Sequence, residues 1–151
     1  MTLKWVNHDK WIKRLKKLPA SAEKYIGEAN GKSANEMVQL ARTLAPVKTG
    51  RLRDSIKATP PGQSIPKYSQ GGISSAPENS WAITAGNEHV RYAHLVEFGT
   101  KMHEQGGTMA GTIHPGTSKQ PFFWPAYRTI KKRHKGRISR AFNKSIKETK
   151  T

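Results

Sequence analysis

Cysteine is absent from the 151 residues, which removes disulfides, thiolate metal sites and a cysteine nucleophile together. Long hydrophobic runs are missing too. No apolar stretch approaches the ~20 residues that a membrane span needs. No apolar core follows the opening residues Met1-Thr2-Leu3-Lys4-Trp5-Val6-Asn7-His8-Asp9, so neither a membrane helix nor a secretory signal is expected, and the chain reads as soluble. Acids are scarce, with 10 Asp+Glu against 27 Lys+Arg. The few carboxylates follow no pattern that would converge two of them, and no Gly-x-Ser-x-Gly elbow occurs. Catalytic residues and cofactors are therefore not expected. Apolar residues make up only 34% of the chain, and adding the 13 glycines still leaves it a little below the ~45–50% of globular domains. One modest core is expected, in a single domain over residues 1–151, with much surface left to solvent or partners.

What is abundant is positive charge, and it is lopsided. The formal net charge is +17. Residues 1–17 hold six basic residues and one acid, residues 128–151 hold ten and one, and residues 18–127 hold eleven and eight. Both ends thus carry an electrostatic excess that attracts nucleic acid or an acidic partner through a salt-screened field.

Hydrophobic spacing sets the element order. Trp5, Val6, Trp11, Ile12, Leu15 and Leu18 form a rough helical stripe, which Pro19 is expected to interrupt, with Ser21 capping the segment that follows. In that second segment Ala34, Met37, Val38, Ala41, Leu44 and Ala45 share one face, and Pro46 ends the helical region 1–45. Residues 46–100 read as sheet. Thr49-Gly50 marks a turn, and Leu52, Ile56 and Thr59 lead into a strand. Residues 60–79, rich in Pro, Gly and Ser, read as a mobile loop or hairpin arm. Ser80–Gly86 alternates as a strand, and Arg91–Phe98, apolar on both faces, reads as a central strand. Residues 101–120 form a long loop without periodicity. Residues 121–151 form an amphipathic basic helix with Ile130, His134, Ile138, Ala141, Phe142 and Ile146 on one face. The fold class is α+β: a long N-terminal helical region, a small mostly antiparallel sheet and a C-terminal helix.

Three candidate chemistries weaken on inspection. Gly31-Lys32-Ser33 suggests a phosphate loop, but the glycine needed five residues earlier is Ile26 and no strand precedes it. Gly31 then reads as a weak point in a helix. His94 and Glu97 could join His103 and His114 as metal ligands, yet in a strand residues three apart point to opposite faces, so the histidines read as surface and loop residues. Trp5 and Trp11 sit beside lysines and could stack on bases, though large aromatics more often anchor interfaces.

Three short stretches carry a resemblance: Ala45-Pro46-Val47-Lys48-Thr49-Gly50-Arg51-Leu52-Arg53-Asp54-Ser55-Ile56, Tyr92-Ala93-His94-Leu95-Val96-Glu97-Phe98-Gly99-Thr100 and Pro121-Phe122-Phe123-Trp124-Pro125-Ala126. In this order, between an N-terminal and a C-terminal helix, the chain resembles the tail-component family named after gene product ten of phage HK97. That family is similar in role to the minor tail protein Z of phage lambda. The resemblance implies a virion protein of the head–tail junction, a tail-completion or neck component. It would join the tail to the DNA-filled capsid, without catalytic, metal or cofactor residues and without a membrane. It also implies assembly as a homo-oligomeric ring, a hexamer being the candidate, against head-closure, tail-terminator or tail-tube proteins, with packaged DNA as a further candidate contact. A tail terminator is the nearest rival, and a free basic nucleic-acid-binding protein the rival of another class. Within the motifs, Pro46, Lys48, Thr49, Gly50, Leu52, Ser55, Ile56, Tyr92, Glu97, Phe98, Gly99, Thr100, Pro121, Phe122, Pro125 and Ala126 are expected to be architectural. Arg51 and Arg53 are expected to pair with Glu97. Arg128, Lys131, Lys132, Lys135 and Lys144 are the candidate contacts to a partner or to DNA. The long stretch between Thr100 and Pro121 and the strongly basic last helix depart from the family's common pattern.

Overall fold

The computed structural model describes residues 8–69, 74–78 and 80–150, with the side chains of 8–19, 149 and 150 outside that description. The calls made on Trp5, Trp11 and the apolar stripe from Trp5 to Leu18 therefore lie outside the described residues. Two long helices dominate: α1, His8–Leu44, and α4, Phe123–Lys150. Between them come two short helices, α2 (Arg51–Ser55) and α3 (Ala93–Phe98). Among the described residues two two-stranded antiparallel sheets complete the fold, β1 (Lys57–Thr59) with β2 (Ala82–Thr84), and β3 (His103–Glu104) with β4 (Ile113–His114). The α+β class is as expected.

Three readings are corrected. The helix does not break at Pro19, since α1 runs through it and Ser21 lies inside the helix instead of capping one. A proline removes one N–H and costs about 3 kcal/mol, a local loss that a helix of 37 residues packed along a partner can absorb. Arg91–Phe98 is not a central strand. Its apolar positions are served by one and a half turns of helix, with Ala93 and Glu97 buried at the i, i+4 spacing that shares a helix face. Residues 101–120 are not structureless either. Thr100 and Thr117 exchange backbone hydrogen bonds of 3.0 and 3.2 Å, β3 and β4 pair beyond them, and a 3-10 turn at Gly107–Met109 closes the tip. Short strands separated by several glycines leave no periodicity to read. Among the described residues of 60–79, Ser64 and Ser75 form a bridge and Ile65 and Ala76 are buried.

The helices α1 and α4 run antiparallel. Contacts step from Tyr25 with Lys144, through Ser33 and Glu36 with Arg137, to Met37, Ala41, Ala126 and Ile130 in the core. Small buried residues on both sides (Ala29, Ser33, Ala34 and Ala41 facing Ala126 and Ser145) let the two backbones approach closely. Leu44 and Phe142, expected inside, are 44% and 43% exposed, because each sits at the margin of its stripe and the smaller Ala41, Ala45 and Ser145 hold the centre. Glu36 bridges Arg133 at 2.5 Å and Arg137 at 2.8 Å. Desolvation at the same seam, then the hydrogen bond and charge of Glu148, hold the Tyr25 phenol above its ordinary value. The rest of the core is Val38, Ala45, Leu52, Ile56, Ala85, Val90, Ala93 and Phe122.

Gly31 is not a weak point. It is buried in α1, and a Cβ placed there would lie 3.0 Å from Cζ2 of Trp81, so its lack of a side chain seats the indole that precedes β2. Gly31→Leu should destabilise the protein by about 1–3 kcal/mol through overpacking, more than the ~1 kcal/mol recovered in helix propensity. Thermal melting followed by circular dichroism checks this. A variant as stable as the wild type would show that Trp81 is not tightly seated.

Candidate functional site

The first motif turns the chain out of α1. Gly50 adopts φ 79° at the start of α2, a left-handed conformation that glycine reaches without a Cβ clash. Leu52, Ser55 and Ile56 then point into the core. Arg42 of α1 donates from Nε and Nη2 to the Ile56 carbonyl at 3.2 and 2.8 Å. Ser55 Oγ donates to Leu52 O at 2.7 Å and accepts from the Gly86 amide at 3.1 Å. A short α2 is thereby tied both to α1 and to the end of β2.

The second and third motifs meet at Glu97, whose side chain is 5% exposed. Its Oε2 accepts from the amides of Phe122 at 2.8 Å and Phe123 at 2.9 Å, and Oε1 accepts from the Trp124 amide at 3.0 Å. These are donors that the first turn of α4 leaves without intrahelical partners, and a negative charge there also faces the positive end of the helix dipole. Glu97 is thus a cap supplied from 25 residues away in sequence. The expected pairing with Arg51 and Arg53 is corrected: Arg53 lies 3.6 Å from Asp54, and both Glu97 oxygens face amides. The strand argument against a metal at His94 and Glu97 no longer holds, because residues three apart on a helix share a face. The carboxylate is instead fully engaged, and among the described residues no group of three or more His, Asp or Glu side chains is gathered for an ion.

Gly99 ends α3 at φ 72°, and a Cβ there would fall 2.6 Å from the Thr117 carbonyl. The hairpin that starts at Thr100 is therefore pressed against the end of α3. Beside it lies a cleft of about 760 Å³ lined by the first motif (Pro46, Lys48, Thr49, Gly50, Arg51, Leu52), by Tyr92, Leu95, Val96 and Thr100, and by the hairpin base. His103 and His114 stack across the hairpin with centroids 5.2 Å apart. Several large apolar side chains of α3 and the hairpin are left to solvent: Phe98 is 66% exposed, Met102 68%, Met109 62% and Ile113 69%.

The motif residues therefore divide. Leu52, Ser55, Ile56, Glu97, Phe122 and Ala126 are buried, Pro46, Gly50, Gly99, Thr100 and Pro125 are half-buried, and Lys48, Thr49, Tyr92, Phe98 and Pro121 are exposed. On α4, Arg128, Lys131, Lys132, Lys135 and Lys144 are all exposed, with Lys144 Nζ over the Tyr25 ring at 4.4 Å. Sequence reasoning missed the Glu36 bridge and the capping role of Glu97. The one available signal for the latter was a lone acid inside an apolar stretch. It also missed a second groove, of about 490 Å³, where Trp81, Tyr127, Lys131, His134 and Lys135 come together between α1, β2 and α4.

The family model described as "Bacteriophage HK97-gp10, putative tail-component" matches residues 9–99, and the chain belongs to that family of phage tail components. The match takes in the first motif and the second as far as Gly99; the hairpin that starts at Thr100 and the motif Pro121–Ala126 lie beyond it. No curated protein and no solved structure matches the chain. Among the described residues no helix is long and apolar enough to cross a membrane.

Replacing Glu97 with Gln keeps the shape but turns an amide NH2 toward backbone donors. Glu97→Gln should cost about 1–3 kcal/mol, the range for leaving buried hydrogen-bonding groups unsatisfied. Chemical denaturation should show a lower midpoint with an unchanged slope, and hydrogen exchange should quicken first at Phe122–Trp124. An unchanged midpoint would mean that the latch does not hold α4.

Proposed function

We propose that this protein is a structural component of the head–tail junction, a tail-completion or neck protein that joins the tail to the DNA-filled capsid, and not an enzyme. The observation that carries the reading is the apolar arm. Monomeric soluble proteins rarely leave large contiguous apolar patches uncovered, and those that do use them for association. Here Met102, Met109 and Ile113 stand exposed on the hairpin and Phe98 on the helix that precedes it, on a scaffold belonging to a family of phage tail components. In this reading the buried motif residues build the scaffold. The arm and cleft meet neighbouring copies in a ring, a hexamer being the candidate, and meet the head-closure, tail-terminator or tail-tube proteins. The location is the virion, after assembly in the bacterial host.

Replacing Met102, Met109 and Ile113 with serine should leave the protein folded, since all three side chains face solvent. Joining should fail. Electron microscopy of lysates should then show filled heads and complete tails accumulating separately, with infectious yield reduced by orders of magnitude. Normal yield would remove the arm from the attachment surface. Tails of abnormal length would favour the tail-terminator reading instead.

A further inference from the structure

We propose that the groove between α1, β2 and α4 binds single-stranded nucleic acid, a base stacking on its aromatic side chains while the flanking phosphates sit on Lys131 and Lys135. The inference goes beyond the head–tail reading and does not rest on it. Three observations carry it. The first is the lining: Trp81, Tyr127, Lys131, His134, Lys135 and Asn30 bound a space of about 490 Å³, within the usual ~300–1,000 Å³ of small-ligand sites. The Trp81 indole is held from behind by Gly31, and Tyr127 is 39% exposed with Lys131 Nζ 5.8 Å from its ring centroid.

The second observation is the charge pattern. Lys131 and Lys135 are one helical turn apart, about 6 Å along the axis, a separation that neighbouring phosphates of an extended strand can match. Arg128 and Lys132 continue the row at i, i+3, i+4 and i+7, all exposed. The third is what the fold does with the acids. Glu36 is spent on Arg133 and Arg137, and Glu148 is the one acid between residues 128 and 151. The row therefore presents an uncompensated field to a polyanion.

The aromatic faces select among polyanions. Every base offers a flat π surface, and stacking on aromatic side chains is sequence-tolerant. A carboxylate gains nothing from the negative face of an aromatic ring, so an acidic peptide could use only the lysines. In a duplex the bases are already stacked on one another, so it too could use only the lysines.

The purified chain tests this by fluorescence anisotropy with a short labelled oligothymidylate, its duplex of equal length, and an oligouridylate. The expected result is tighter binding of the single strand than of the duplex, weakening as salt rises; preference between thymidylate and uridylate assigns DNA or RNA. The pair Lys131→Gln and Lys135→Gln should lower affinity about tenfold or more and flatten the log–log salt slope by about 1.4, at ~0.7 per single-strand phosphate contact. Tyr127→Leu should lower affinity about fivefold or more with the slope unchanged, and Tyr127→Trp should restore it. Melting curves establish that each variant is folded, and the exposed lysine pair reports on the site independently of packing around Tyr127. Three results overturn the proposal: no binding of the single strand, duplex bound as tightly with Tyr127→Leu silent, or displacement of the oligonucleotide by polyglutamate at equal charge.

Discussion

Three backbone amides at the start of α4 converge on one buried carboxylate, and much of the tertiary arrangement depends on that convergence. Without Glu97 the first turn of α4 would leave the buried Phe122 amide without an acceptor, a loss of about 1–3 kcal/mol, and the part-buried amides of Phe123 and Trp124 would lose theirs too. With it, α3 and α4 are locked end to side. Phe122 then enters the core at 1% exposure, and the chain between the two helices is forced out as the hairpin that starts at Gly99. The arm is thus a consequence of the latch. Residues 99 and 121 are held near each other, and everything between them must leave the body and return.

The α1–α4 pair solves a different problem. A chain with 27 basic and 10 acidic residues repels itself, and α4 has almost no acids of its own to offset its lysines and arginines. Glu36 supplies the missing charge from the partner helix, where Arg137 also donates to Ser33 Oγ at 2.6 Å. Partial burial strengthens such pairs relative to surface ones. Most of the remaining cations of α4 are exposed, while the uncovered apolar side chains Met102, Met109 and Ile113 belong to the hairpin. Separation of the two allows one small body to present chemically distinct surfaces.

The local elements were legible wherever side chains repeat at a fixed period. The late half of α1, the strand around Ile83 and the C-terminal helix follow from spacing alone, as does the turn at Gly50. Legibility failed at short or irregular pieces. Arg91–Phe98 is too short for its period to separate helix from buried strand, and β3 and β4, two residues each, are held by cross-chain hydrogen bonds that no residue pattern announces. Pro19 misled because a local penalty was weighed without the length of the helix that carries it. The basic row of α4 was visible, but the exposure of Phe98 was not, because a phenylalanine in an apolar run reads as core.

What the sequence by itself determined is therefore the class of fold, the family and the charge: periodicity, three ordered motifs and the excess of Lys and Arg are properties of the chain before it folds. Only the tertiary structure decided what Glu97, Gly31, Glu36 and Trp81 do. Each acts on a partner 25 or more residues away, through a distance or a clash that exists only once the helices are packed. A carboxylate becomes a cap, and a glycine becomes a seat for an indole, when another part of the chain arrives beside it, and linear spacing carries no record of that arrival.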